Sequence, residues 1–335
     1  MTSVATRTPR LGFLGVGWIG RKRLQSLVAS GDAITAAVAD PDPELRAAAA
    51  GDAPEAVQVG DLAALLEVDL DGIVIATPSG LHAQQAVTAF AAGLPVFCQK
   101  PLGRDRAEAE AVVSAARRAD RLLGVDLCYR HTEAARRIKE HLDGGAIGDV
   151  YALDLVFHNA YGPDKPWFKR RDLAGGGCLI DLGTHLADLG LWLTGVRDVR
   201  VRSARVLHRG KALDIDRGHD VEDFALAELD LGGTVARLAC SWWLPAGRDC
   251  VIEVVAYGER GALALRNVGG SFYDFEAQLQ RGTTTQRLAG PPDDWGGRAL
   301  CAWAERLALS RSFDPASEEY VRLARVIDDI YRSAT

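Results

Sequence analysis

Three groups of residues in this chain have the types and spacing to do chemistry. The run Leu11-Gly12-Phe13-Leu14-Gly15-Val16-Gly17-Trp18-Ile19-Gly20 spaces Gly15, Gly17 and Gly20 as G-x-G-x-x-G, and a later apolar run ends at Asp40. Gln99-Lys100-Pro101 directly follows another apolar run, Pro95 to Cys98. Further on, Gly175-Gly176-Gly177 opens a segment with Asp181, His185 and Asp188, spaced i, i+4, i+7. A lysine ammonium stabilises a developing alkoxide, and an imidazole titrates near neutral pH and takes or gives a proton.

The glycine group is the most specific. Its first glycine permits a tight strand-to-helix turn, the second lets backbone N–H groups approach a pyrophosphate, and the third lets helix and strand pack closely. Phosphates then meet the positive end of a helix. Gly15, Gly17, Trp18, Ile19 and Gly20 are therefore expected to bind a dinucleotide, with Asp40 accepting hydrogen bonds from the adenosine ribose. The residue after Asp40 is Pro41, with no arginine to grip a 2′-phosphate, so NAD is expected over NADP.

Elements must place these groups. Leu11 to Leu14 predicts a buried strand, Ile19 to Val28 a helix and Ala33 to Ala39 the next strand. Strands at Gly72 to Ala76, Pro95 to Cys98 and Leu122 to Val125 alternate with alanine-rich helices, predicting an α/β Rossmann domain over residues 1–125. From residue 126 to 335 the pattern changes. A helix at Glu133 to Leu142 precedes strands at Val150 to His158, Val199 to His208, Asp223 to Leu231, Thr234 to Trp243 and Val251 to Tyr257. Helices near Arg298 to Ser310 and Ser317 to Tyr331 follow. This predicts an α+β domain with a large, mostly antiparallel open sheet that binds substrate and builds a homodimer or homotetramer. Leu231-Gly232-Gly233-Thr234 is the expected hairpin turn.

The Rossmann pattern adds Thr77-Pro78-Ser79-Gly80-Leu81-His82, which follows a strand at the carboxyl edge, where such sheets take ligands. Thr77, Pro78, His82, Gln99 and Lys100 are the further cofactor contacts expected there. On a helix, Asp181, His185 and Asp188 would share one face. A metal is not expected on it, because nothing supplies an obvious fourth ligand.

With 335 residues, 48% of them hydrophobic, the chain suits two domains. Its net charge of −6 and lack of a lysine or arginine run argue against a nucleic-acid partner. Met1 to Arg10 is polar and no stretch approaches a membrane span, so no membrane association is expected. Six cysteines lie scattered without C-x-x-C spacing and read as reduced thiols of a cytoplasmic protein.

Taken in order, the glycine fingerprint, the lysine-proline step and the Asp-x-x-x-His segment resemble the Gfo/Idh/MocA oxidoreductases, which include glucose-fructose oxidoreductases and inositol dehydrogenases. The resemblance covers essentially the full length. It implies that Lys100 contacts the reacting oxygen and the cofactor ribose, that His185 is the acid/base, and that Asp181 binds substrate or orients the site. It departs at Gln99, where the family usually has glutamate, removing a negative neighbour of Lys100. Tyr129 and Arg130 resemble the family's Tyr-Arg step into the second domain and are expected substrate contacts with Tyr161, Trp167 and Arg171. Lys165 and Lys169 lie in the same stretch. The activity implied is NAD-dependent hydride transfer to or from a secondary alcohol of a sugar, sugar derivative or cyclitol. Redox-assisted glycoside cleavage with recycled NAD and a nicotinamide-sensing regulator are the alternatives.

Overall fold

The computed structural model describes residues 7–214 and 220–334. The chain divides into two compact units, Met1–Cys128 with Gly296–Val321, and Tyr129–Trp295 with Arg322–Thr335.

In the first unit, strands and helices alternate: β1 (Arg10–Leu14), α1 (Trp18–Ser30), β2 (Ile34–Ala39), α2 (Pro43–Asp52), β3 (Val57–Val59), α3 (Leu62–Leu66), β4 (Gly72–Ile75), α4 (Ser79–Ala91), β5 (Val96–Cys98), α5 (Arg106–Ala119) and β6 (Leu123–Val125). The six strands are parallel in the order β3-β2-β1-β4-β5-β6. That order reverses beside β1, so the crevice at its carboxyl end lies at the topological switch point. The central strands read as continuous apolar runs because both sheet faces are covered; Ile73, Val74, Ile75, Val96 and Phe97 are all buried.

The segment 296–321 belongs with this unit, although the sequence pattern assigns everything after residue 125 to a second domain. Helix Arg298–Leu309 buries Leu300, Trp303 and Leu307 among Leu11, Val74 and Phe97. Space for the indole exists because Gly124 and Gly72 lack side chains: an added Cβ would lie 2.5 Å and 2.9 Å from Trp303 carbons. An amphipathic helix shows in sequence that it buries one face, but not which sheet receives it.

The second unit contains α6 (Glu133–Asp143), β7 (Val150–Asn159), α7 (Arg171–Ala174), α8 (Thr184–Thr194), β8 (Val199–His208), β9 (Lys211–Ala212), β10 (Phe224–Leu231), β11 (Thr234–Ser241), β12 (Cys250–Gly258), β13 (Gly261–Asn267), β14 (Phe275–Arg281) and β15 (Thr284–Ala289). They form one sheet in the order β15-β14-β13-β12-β7-β11-β10-β8-β9. Only β7 and β11 pair in parallel. Gly232 and Gly233, both with positive φ, close the expected β10–β11 hairpin. β7 alternates in the way a half-covered sheet requires: Leu153, Leu155 and Phe157 are buried, while Ala152, Asp154, Val156 and His158 between and after them are only part-buried. Strands β13, β14 and β15 went unassigned in the sequence reading, β15 being the extreme case with its polar run Thr284-Thr285-Gln286-Arg287.

Candidate functional site

The nucleotide-binding half is built on β1 and α1. Gly15 has φ +84°, and a Cβ there would lie 2.7 Å from Ala76 backbone atoms. A Cβ on Gly20 would lie 2.1 Å from the Gly15 carbonyl oxygen. Nothing lies within 4 Å of a Cβ placed on Gly17, the residue preceding the first turn of α1. Gly15 and Gly20 thus serve the turn, whereas Gly17 keeps open a cradle that a side chain would fill. This is the fit expected for a pyrophosphate. Asp40 directly follows β2 and is 8% exposed. Its Oδ2 accepts the Val16 N–H at 3.0 Å and its Oδ1 the Asp42 N–H at 3.0 Å. Each oxygen retains a second lone pair for a ribose hydroxyl. Of the neighbouring expected contacts, Trp18 is 67% exposed on the surface of α1 and Ile19 is part-exposed.

Lys100 follows β5 at the same carboxyl edge. Its neighbours are organised differently from expectation. The His82 ring is buried, with Nδ1 2.7 Å from the Pro101 carbonyl and Nε2 2.7 Å from the Thr77 carbonyl. His82 therefore ties the two loops that follow β4 and β5. Burial pushes its pKa below the ordinary histidine value, outweighing the two carbonyls, which pull it up. Thr77 Oγ1 donates to Gln85 Oε1 at 2.5 Å, and Pro78 precedes the first turn of α4. Gln99 is also buried, and its amide donates to Asp126 Oδ2, which Arg23 Nε contacts at 2.6 Å. Gln99 thus belongs to an internal charge network.

On the second unit, a wider turn precedes the helix that carries His185 and Asp188, and Asp181 lies within that turn. Residues Leu179–Gly183 form a π-helical turn, with Thr184 N–H bonded to the Leu179 carbonyl, before α8 begins. The i→i+5 turn departs from regular α-helical spacing, and the three residues contact different partners. Trp242 Nε1 donates to Asp181 Oδ2 at 3.2 Å. His185, 8% exposed, packs edge-on against Tyr129 at 4.7 Å between ring centroids. Asp188, 2% exposed, takes the Arg130 Nε at 3.0 and 2.9 Å. α8 is buried over Thr184 to Gly190, so His185 and Asp188 do not lie on a solvated face. Among the described residues no group of three or more His, Cys, Asp or Glu side chains is placed to hold a metal ion.

Several expected substrate contacts have structural partners. Tyr129 is 7% exposed and packs on Phe157, Phe275 and Trp295 as well as His185. The Arg130 guanidinium is held by Asp188. Trp167 stacks on Phe168 at 3.8 Å, and the Arg171 guanidinium carbon lies 4.9 Å over the Tyr331 ring. Lys165 lies beside Asp164 on the surface, and Tyr161 is 48% exposed. Lys169 sits over Trp243 at the rim of a cavity of about 780 Å³, also lined by Phe224, Ser241 and Trp242. Trp242 and Glu222 were absent from the sequence-derived candidates. Their partners lie 43 to 109 residues away in the chain, and no local spacing announces such contacts.

Comparison with known proteins agrees with this architecture. Residues 10–127 match the oxidoreductase family NAD-binding Rossmann fold, and residues 135–264 match the GFO/IDH/MocA C-terminal domain. A putative UDP-kanosamine synthase oxidoreductase subunit of Amycolatopsis mediterranei is 32% identical over 97% of this chain and 96% of its own length. This chain belongs to the Gfo/Idh/MocA oxidoreductase family. The inositol 2-dehydrogenase of Rhizobium meliloti is 29% identical over 78% of this chain and 76% of its own. The rhizopine catabolism protein MocA of the same species is 32% identical over 58% of this chain and 60% of its own. The fold is shared with a 3-ketoreductase from Actinomadura kijaniata solved with NADP and TDP-benzene, at a TM-score of 0.84, 24% identity and 98% coverage of both chains. It is also shared with levoglucosan dehydrogenase solved with NADH and levoglucosan, at a TM-score of 0.83, 22% identity and 98% and 97% coverage. As a family member, the chain is an oxidoreductase built on an NAD-binding Rossmann fold.

Proposed function

We propose that this protein is an NAD-dependent dehydrogenase or ketoreductase acting on a secondary alcohol of a sugar, sugar derivative or cyclitol. The observation that carries the reading is a primary ammonium, Lys100, at the carboxyl edge of the sheet that also carries the open cradle of Gly17. Bound NAD supplies the hydride acceptor, and the chain supplies the rest. Gly15, Gly17, Gly20 and Asp40 hold the dinucleotide, with the Asp40 carboxylate favouring a free ribose over a 2′-phosphate. Lys100 stabilises the alkoxide as the hydroxyl proton leaves, His185 takes that proton, and Asp181, anchored by Trp242, orients the substrate.

The second-unit sheet also supports assembly. Its outer face exposes Val235, and Val255, Ala262 and Ala264 cluster with Tyr257 on β12 and β13. We read this face as the contact of a homodimer or homotetramer, and the six free cysteines as those of a cytoplasmic protein. Light scattering of wild type and Val235→Glu decides the first point: an unchanged oligomer in the variant, or a monomeric wild type, refutes it.

The function is tested by NADH formation with purified protein and NAD across sugars, sugar acids, cyclitols and glycosides, beside Lys100→Ala. NADH with one substrate group, lost in the variant, is the expected result. NAD binding with sugar released from a glycoside but no net NADH indicates redox-assisted cleavage instead. Binding without any turnover indicates a regulator.

A further inference from the structure

The segment that carries Asp181 and His185 starts without a local cap. Helix starts leave backbone N–H groups unpaired, and a nearby Ser, Thr, Asp or Asn normally accepts from them. Here the preceding residues are Gly176, Gly177 and Cys178, and no side chain caps the turn from within the segment. The acceptor comes instead from Glu222, just before β10. Its Oε1 accepts from Gly177 N–H at 2.9 Å and Leu179 N–H at 2.9 Å, and its own carbonyl accepts from Cys178 N–H at 3.0 Å. Three successive amides thus end on one residue 43 to 45 positions away.

We propose that Glu222 is a positioning residue for the reaction, setting the π-helical turn so that Asp181 and His185 are presented in register. The proposal rests on the reading of those two residues given above. The Glu222 side chain is itself fixed: Tyr331 donates to the same Oε1 at 2.8 Å, and Glu222 is 0% exposed. The glycines are required by this arrangement. A Cβ on Gly176 would lie 1.9 Å from the Tyr331 hydroxyl, and one on Gly177 1.9 Å from the Glu222 carbonyl oxygen. From the capped turn the path to the site is short. Asp181 N–H bonds to the Gly177 carbonyl at 3.0 Å, and Thr184 Oγ1 to the Ile180 carbonyl at 2.7 Å, immediately before His185. Burial raises the Glu222 pKa against the opposing pull of its donors, and Oε2 has no partner among the described residues. What the turn requires is therefore an acceptor oxygen rather than a charge. Glutamine in its place supplies the same oxygen.

The test needs no substrate. The indole N–H of Trp242 reports on Asp181 directly, and its resonance among the seven tryptophans is assigned by Trp242→Phe. Glu222→Ala is expected to displace that resonance while the dissociation constant for NAD, measured by calorimetry, stays within about two-fold because the nucleotide residues lie in the other unit. Glu222→Gln is expected to restore the wild-type resonance. Leu263→Ala, a cavity in β13 that lowers thermal stability elsewhere in the same sheet, is expected to leave it in place. If Glu222→Ala is not recovered folded, Tyr331→Phe, which deletes one donor and keeps the ring, is expected to move the resonance in part. A folded Glu222→Ala with an unmoved Trp242 resonance, or equal displacement in Leu263→Ala, overturns the proposal. Once a substrate is identified, Glu222→Ala lowers kcat by about ten-fold or more with little change in KM for NAD, and Glu222→Gln rescues it. Because the resonance and NAD affinity are read without turnover, failure of the functional reading leaves this result intact and separately interpretable.

Discussion

Replacing Gln99 by glutamate, the residue its family usually has there, is expected to harm this protein in a pH-dependent way. The Gln99 amide donates to Asp126 Oδ2, and both side chains are buried. Glutamate would set a second carboxylate oxygen against the first, with Arg23 the charge-paired partner of Asp126. Two like charges about 4 Å apart repel by about 4 kcal/mol at an effective dielectric of about 20. Since one pKa unit is about 1.4 kcal/mol, the introduced carboxyl is held roughly 3 units above its ordinary value of about 4.3. The sign follows. Below pH ~4.3 the new acid is protonated in folded and unfolded chains alike and donates to Asp126, so little stability is lost. As pH rises toward ~7 the unfolded chain ionises first, and stability falls until the deficit reaches about 4 kcal/mol. At about 2–4 °C per kcal/mol, the variant should melt roughly 8–16 °C below wild type at pH 8 and close to it at pH 4.5. Thermal melts of both proteins across that range provide the assay. Gln99→Met, losing one neutral hydrogen bond, should show a deficit of about 1 kcal/mol that does not vary with pH. A Gln99→Glu deficit that is constant with pH, or absent at pH 8, refutes the reasoning.

Arg130→Met removes the guanidinium that pairs with the buried Asp188 carboxylate and should cost about 3–5 kcal/mol in denaturant titration, part of it recovered by adding Asp188→Asn. Burial holds the His82 and His158 imidazoles below the ordinary histidine value, so the unfolded chain takes up protons that the folded one refuses. Stability should therefore decline below about pH 6.5, and His158→Gln should reduce that decline in melts at pH 8 and 5.5. Burial pushes the Cys128 and Cys250 thiols up to about 12 and raises Cys98 and Cys178 as well, leaving the half-buried Cys301 as the most accessible thiol. Titration with a thiol reagent at pH 8 should show one fast group, absent in Cys301→Ser, and six after unfolding.

What the sequence disclosed follows the range of each signal. The fingerprint from Gly15 to Asp40 and the alternation of strands and helices are local patterns, and they reappear in the structure within a few residues. The same holds for the hairpin at Gly232-Gly233, where two positive φ values require glycine chemistry. The π-helical turn was not legible, because i, i+4, i+7 spacing assumes an uninterrupted α-helix, and residues 179–183 depart from one. The internal bonds of Gln99, His82 and Arg130 run to partners 19 to 58 positions away, Asp126, Pro101 and Asp188, and no local spacing announces them. Helix Arg298–Leu309 shows the same limit at the scale of a domain: its periodicity was evident, its destination was not.

That destination imposes an order of events on biosynthesis. The first unit is discontinuous, so a ribosome that has finished Cys128 must still polymerise about 170 residues before the segment beginning at Gly296 emerges. At roughly 5–20 residues per second this delay is about 10–30 s. Throughout it, the sheet surface around Leu11, Val74 and Phe97 waits for Trp303 and Leu307. The nucleotide-binding half therefore completes its apolar core only after the sheet of the second unit has been synthesised.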